Sequence, residues 1–215
     1  MIASIEGIDD ISMTTNASYL SKGRAVALKD AGLKRITVSL DALDEETFRT
    51  VRDVEFPVSR VLEGIENARQ AGFENIKINA VIKRGLNEHS VLPLARYFHG
   101  TGSILRFIEY MDVGSTNNWK LDEVVSAREL VAMINKEMPI EPVSPNYRGE
   151  VAKRWRYVDD GGEVGFITSV TESFCGDCSR VRLSAVGQIY TCLFATEGYD
   201  IRDPLRAGAS DQDLL

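Results

Sequence analysis

Residues 58–83 read VSRVLEGIENARQAGFENIKINAVIK, and their change of period halfway along decides the fold. Val58, Val61, Leu62, Ile65 and Ala68 fall on one helical face, with Pro57 suited to the first turn and Gly72 to the C-terminal cap. Beyond Gly72 the period becomes two. Ile76, Ile78, Ala80 and Ile82 alternate with Lys77, Asn79, Val81 and Lys83, a strand whose polar side faces something specific. The same phrase stands forty residues earlier, where a helix through Lys29 ends at Gly32 and RITVSLDA follows. DISMTTN (10–16) and SILRFIEYMD (103–112) supply two more candidate strands, the second after a helix containing His89 and His99. This alternation predicts an α/β fold with a parallel sheet and right-handed crossovers. Sites in such folds lie at the C-terminal strand ends, here Thr14-Thr15-Asn16, Ser39-Leu40-Asp41, Lys83-Arg84 and Met111-Asp112. About four units are too few to close an eight-stranded barrel, so residues 1–138 are expected to form a partial (βα) barrel entered midway.

Near residue 140 the character changes. MPIEPVSPNYRGE carries Pro139, Pro142, Pro145 and Gly149 and reads as a linker or long loop, whereas Asp160-Gly161-Gly162 inside RWRYVDDGGEVGFITS signals a hairpin. Residues 139–215 are expected to form a β-rich C-terminal extension. A hydrophobic content of 44% with 27% charged residues describes a soluble globular protein. The net charge of −7 argues against broad nucleic-acid binding but leaves room for a small anion held by local Arg and Lys. No apolar run reaches the roughly 18 residues of a membrane helix, and no signal peptide is visible at Met1. Few, clustered cysteines fit a reducing, cytoplasmic compartment.

All three cysteines lie in SFCGDCSRVRLSAVGQIYTCLFA, residues 173–195: Cys175 and Cys178 as a CxxC, then thirteen residues, then Cys192. A two-residue gap lets both sulfurs turn toward one ion or cluster. Structural zinc wants a fourth ligand, and the chain offers only His89 or His99. A four-iron cluster on three thiolates keeps one iron open to a substrate atom. Free thiols are the third alternative. Arg180 and Arg182 share strand parity beside the cysteines, and guanidinium donors match phosphate geometry. Pairing with Asp177, Glu172 or a thiolate would use them equally well.

The cysteine segment resembles the C-terminal cluster motif of the GTP 3′,8-cyclases, radical S-adenosylmethionine enzymes that begin molybdenum cofactor biosynthesis. SMTTNA, RITVSLDALDEETF, IKINAVIKRGLNE, LRFIEYMDVG and YRGEVAKRW resemble successive segments of that family, in its order, so the likeness covers essentially the whole chain. It implies that Cys175, Cys178 and Cys192 hold a 4Fe-4S cluster whose open iron contacts the guanine of GTP. It also implies that Thr15, Lys77, Arg106, Arg180, Val181 and Arg182 bind GTP, and that Ser39 and Met111 contact S-adenosylmethionine. In the implied reaction a second, reduced 4Fe-4S cluster cleaves S-adenosylmethionine to a 5′-deoxyadenosyl radical. That radical takes hydrogen from C3′ of GTP, and the carbon radical attacks C8. Each residue has a plainer alternative. Lys77 can be an exposed strand lysine, Thr15 and Ser39 strand-end hydroxyls, Met111 a core residue, and Asp41 and Asp44 the loop and N-cap of the next helix. Arg106 and Met111 have opposite strand parity, so both reach one cavity only across a strand end or bulge.

The family builds its other cluster from a CxxxCxxC near the N-terminus, followed by a glycine-rich segment. Neither occurs here, and MIASIEGIDDISMTTN resembles the family from just beyond them. The family's tail with its pair of glycines is also absent. The expectation is an internal piece of the cyclase, inactive by itself, with an exposed barrel edge that aggregates, pairs with a second copy as a homodimer, or is remodelled. A non-catalytic nucleotide-binding Fe–S module and a structural zinc protein are the competing readings.

Overall fold

Seven strands among the described residues form one sheet. The structure, a computed structural model, describes residues 2–111 and 118–214. Two compact units are present: Met1–Met111 with Lys120–Ser173 forms the first, and Phe174–Leu215 lies in the second. In the first unit β1 (Ser12–Thr15), α1 (Lys22–Asp30), β2 (Arg35–Ser39), α2 (Glu45–Arg52), α3 (Val58–Gln70), β3 (Lys77–Ile82), α4 (Val91–Phe98) and β4 (Ile104–Glu109) succeed one another. After them come α5 (Ala127–Glu137), β5 (Ile140–Val143), β6 (Lys153–Tyr157) and β7 (Glu163–Ile167). Strands β1 to β4 and β7 pair in parallel in that order, β6 adds antiparallel to β7, and β5 adds antiparallel to β6 at the edge. The mostly parallel α/β sheet is the one the alternation predicts.

Local chemistry sets the boundaries. Gly32 and Gly72 follow the caps of α1 and α3 at φ +97° and +85°, a left-handed position that glycine takes without a Cβ penalty. Pro57 sits at the N-cap of α3 rather than in its first turn and has no side-chain bond to offer. Glu45 from α2 accepts the Val58 N–H at 3.0 Å in its place. The helix expected through His89 and His99 is shorter: a single 3-10 turn over Glu88–Ser90 precedes α4, and His99 is the C-cap. The presumed linker also needs correcting, because Ile140–Val143 is a strand. It is tolerated at Pro142 because β5 is an edge strand, where a missing N–H costs no ladder bond. The hairpin between β6 and β7 turns through Asp160 and Gly162, both at positive φ.

On one face of the sheet Ile36, Val38, Ile78, Ala80, Ile82, Leu105, Phe107, Val164 and Phe166 are buried in a core shared with Val61, Ile65 and Ala68 of α3, Leu94 of α4, and Leu130 and Ile134 of α5. Register places Thr14, Thr37, Ser39, Lys77, Asn79 and Arg106 on the opposite face. The second unit holds an antiparallel sheet of β8 (Arg182–Leu183), β9 (Gln188–Tyr190) and β10 (Tyr199–Asp200), then α6 (Arg202–Arg206) and α7 (Asp211–Leu214). No described helix is long and apolar enough to cross a membrane.

Candidate functional site

Two rows of side chains cross the polar face of the first sheet. Thr14, Thr37, Lys77 and Ile104 lie abreast, and two residues further along lie Ser39, Asn79, Arg106 and Gly165. Arg106 donates from Nε to Asn79 Oδ1 at 2.9 Å. Gly165, directly opposite, leaves room for the arginine stem, since a Cβ there would stand 3.1 Å from Arg106 Cγ. Lys77 and Arg106 line a cavity of about 100 Å³ with Asn146, Glu150, Arg154 and Glu163. Arg154 is neutralised by Glu163 through bonds of 3.0 and 2.6 Å. Lys77 and Arg106 form no ion pair among the described residues. Burial, then the Arg106 charge, then Arg35 hold the Lys77 ammonium below its ordinary pKa, and burial does the same to Arg106. A cavity with two such cations favours an anion.

The other strand-end candidates sit elsewhere. Thr15 pairs in register with buried Val38 and faces the helix layer, where its hydroxyl accepts the Ala17 N–H at 3.0 Å. Ser39 shares the polar face with Asn79 and Arg106. Met111 lies beyond the end of β4, half-buried, and Asp112, Val113 and Gly114 of FIEYMDVG fall outside the described residues. Lys83 pairs with Glu123 at 3.1 Å and Arg84 with Glu129 at 2.7 Å, so both serve the surface beside α5. Asp44 caps α2 by accepting the Thr47 N–H. Asp41 does more than shape a loop: buried, it accepts the Val81 N–H at 2.8 Å and pairs with Arg52. His89 bonds to Thr47 and His99 to Asp159, each at 3.0 Å.

Sequence reasoning passed over Glu109, which alternation places with the apolar residues of β4. It is fully buried, and its carboxylate accepts the N–H groups of Ala127, Val170 and Thr171 and the Thr171 hydroxyl. Those donors hold its pKa down against the opposing effect of burial. The acid thus ties the first residue of α5 to the turn that precedes the cysteines.

In the second unit Cys175, Cys178 and Cys192 are free and exposed. A 3-10 turn over Cys175–Asp177 lets the Cys178 N–H donate to the Cys175 carbonyl at 3.2 Å. Arg180 donates to Cys178 Sγ at 3.1 Å and lies over the Phe174 ring, and its bonds lower the Cys178 thiol pKa. Cys192 lines a cavity of about 360 Å³ with Arg182, Ser184 and Tyr190. Arg180 Nε and Arg182 Nη1 are shielded from solvent without an acceptor among the described residues, which suits a bound anion. The described residues contain no set of three His, Cys, Asp or Glu side chains already gathered around a metal position. The donors nonetheless fit a thiolate-bound cluster in kind: three accessible thiols, one already shifted toward thiolate.

Residues 103–215 match the family model described as Molybdenum Cofactor Synthesis C. The chain belongs to that family. Residues 1–98 match the model described as the Radical SAM superfamily. A GTP 3′,8-cyclase of Xanthomonas axonopodis pv. citri is 50% identical over 207 residues, covering 96% of this chain and 62% of the relative. One from Acidothermus cellulolyticus is also 50% identical, across 96% of the chain and 57% of its own length. One from Staphylococcus carnosus is 45% identical over 211 residues, 98% of the chain and 62% of the relative. The chain therefore spans about three fifths of the length of these relatives.

Proposed function

We propose that this chain is the GTP-holding part of a GTP 3′,8-cyclase, which converts GTP to (8S)-3′,8-cyclo-7,8-dihydroguanosine 5′-triphosphate in molybdopterin biosynthesis. The Lys77–Arg106 pair carries the reading. Two half-buried cations lining one cavity, with no ion pair among the described residues, call for an anion, and a triphosphate is one. Residues 1–138 act as a partial barrel, and residues 139–215 as the cluster-bearing, GTP-binding extension, whose first strands β5 to β7 continue the barrel's sheet. Cys175, Cys178 and Cys192 would hold a 4Fe-4S cluster in the second unit, where Arg180, Val181 and Arg182 are GTP contacts. Thr15, the remaining GTP candidate, faces the helix layer and stands apart from the Lys77–Arg106 cavity. Ser39 and Met111 contact S-adenosylmethionine. When bound, the clusters and S-adenosylmethionine supply the radical chemistry; the residues of this chain neutralise the triphosphate, orient the base and hold the ribose still. The protein works in the cytoplasm, and its copies associate as a homodimer.

The test is an anaerobic preparation of the chain, analysed for iron and sulfide and by EPR with and without GTP. The expected result is a cluster signal that GTP perturbs, with GTP binding lost in Lys77→Ala. Stoichiometric zinc in a colourless protein, or a cluster signal indifferent to GTP, would overturn it.

A further inference from the structure

The cavity at Lys77 and Arg106 also contains a carboxylate that forms no ion pair with either cation among the described residues. Glu150 lines the same space, yet its oxygens are taken by Asn146: the backbone N–H donates to Oε2 at 2.6 Å, and the side-chain amide to Oε1 at 3.3 Å. The Asn146 amide is fixed in turn, because its Oδ1 accepts from Arg154 Nη1 at 2.7 Å. Arg154 is anchored by Glu163 and the Ser144 carbonyl. A chain of bonds thus runs Glu163–Arg154–Asn146–Glu150, and it ends with a carboxylate of the cavity that has no ion pair among the described residues and is bonded to its own loop.

We propose that Asn146 is a positioning residue that holds Glu150 off the Lys77–Arg106 pair, keeping that pair open for a polyphosphate. The inference rests on the reading that Lys77 and Arg106 take the phosphates of the nucleotide. A carboxylate on a short loop has a high effective concentration at a neighbouring cation, so a freed Glu150 competes directly with a phosphate oxygen. The electrostatic field of Glu150 already reaches both cations.

Binding of sodium tripolyphosphate to the whole 215-residue chain, measured by titration calorimetry, tests this. Lys77→Ala assigns the heat to this cavity. Asn146→Ala should weaken binding about fivefold, an effect bounded by the surviving backbone bond. Glu150→Gln should bind as tightly as the parent or tighter, and the Asn146→Ala/Glu150→Gln double variant should recover the affinity of Glu150→Gln. Equal weakening in Asn146→Ala and the double variant would mean that Asn146 merely stabilises the loop, and would overturn the proposal. So would Asn146→Ala binding like the parent; in both cases Lys77-dependent binding would leave the phosphate reading intact. If neither the parent nor Glu150→Gln binds tripolyphosphate, both readings fall together.

Discussion

Gly165 and Glu109 show how single residues shape the site without touching a ligand. A Cβ at Gly165 presses on the Arg106 stem, so Gly165→Val is expected to displace the guanidinium and weaken GTP binding about tenfold. Thermal unfolding of the variant should change far less than its titration with GTP. Glu109 is a different case, since its donors remain when its charge is removed. Glu109→Gln turns one acceptor oxygen into a donor facing buried N–H groups, an expected loss of about 3 kcal/mol in denaturant unfolding. The sign of its pH dependence follows from its depressed pKa. A carboxylate bound tighter in the folded state contributes stability above its unfolded pKa and loses it as pH falls through the lower folded value. The parent should therefore lose urea resistance below the ordinary glutamate range, and Glu109→Gln should lose less over the same interval.

At the level of elements, one helix N-cap was legible, Asp44 at the start of α2, whereas the N-cap of α5 was passed over. Ser126 accepts the Glu129 N–H and Glu129 reaches back to the Ser126 N–H, a capping box that opens α5. Ser126→Ala should cost about 1 kcal/mol, read from the midpoint of chemical unfolding. Arg84 and Ser126 pull Glu129 down to about 2, but half of its side chain is in water, so screening keeps its share of the acid sensitivity small. The start of α3 was read one residue early, and what caps it was not legible. Proline at the N-cap supplies no acceptor, and the partner that does, Glu45, lies thirteen residues away on another helix. Strand β5 was hidden for a related reason: proline and glycine density resembles a loop until an antiparallel neighbour is present to pair with it.

Across the whole molecule, three cysteines suffice for one four-iron cluster and no more. Anaerobic reconstitution should load about four irons per chain, and Cys192→Ala should lower that content and abolish the EPR signal. With S-adenosylmethionine and dithionite the 215 residues should form no 5′-deoxyadenosine, because none of them supplies the CxxxCxxC on which cleavage depends. Appreciable product in that assay would contradict the assignment. The sheet ends at β1, whose short strand pairs on one side only among the described residues. Light scattering across a concentration series should accordingly report self-association.

Period and punctuation in the sequence were enough for the α/β class, the parallel strands and the polar side of β3, because burial on alternate positions is a local pattern. Motif order was enough for the family. Tertiary structure decided what each polar residue is paired with. It turned Thr15 toward the helices, gave Glu109 four donors, spent Lys83 and Arg84 on surface glutamates, and left Lys77 and Arg106 without an ion pair among the described residues. Such partners come from residues distant in sequence, and no local pattern encodes a pairing that only the folded register creates.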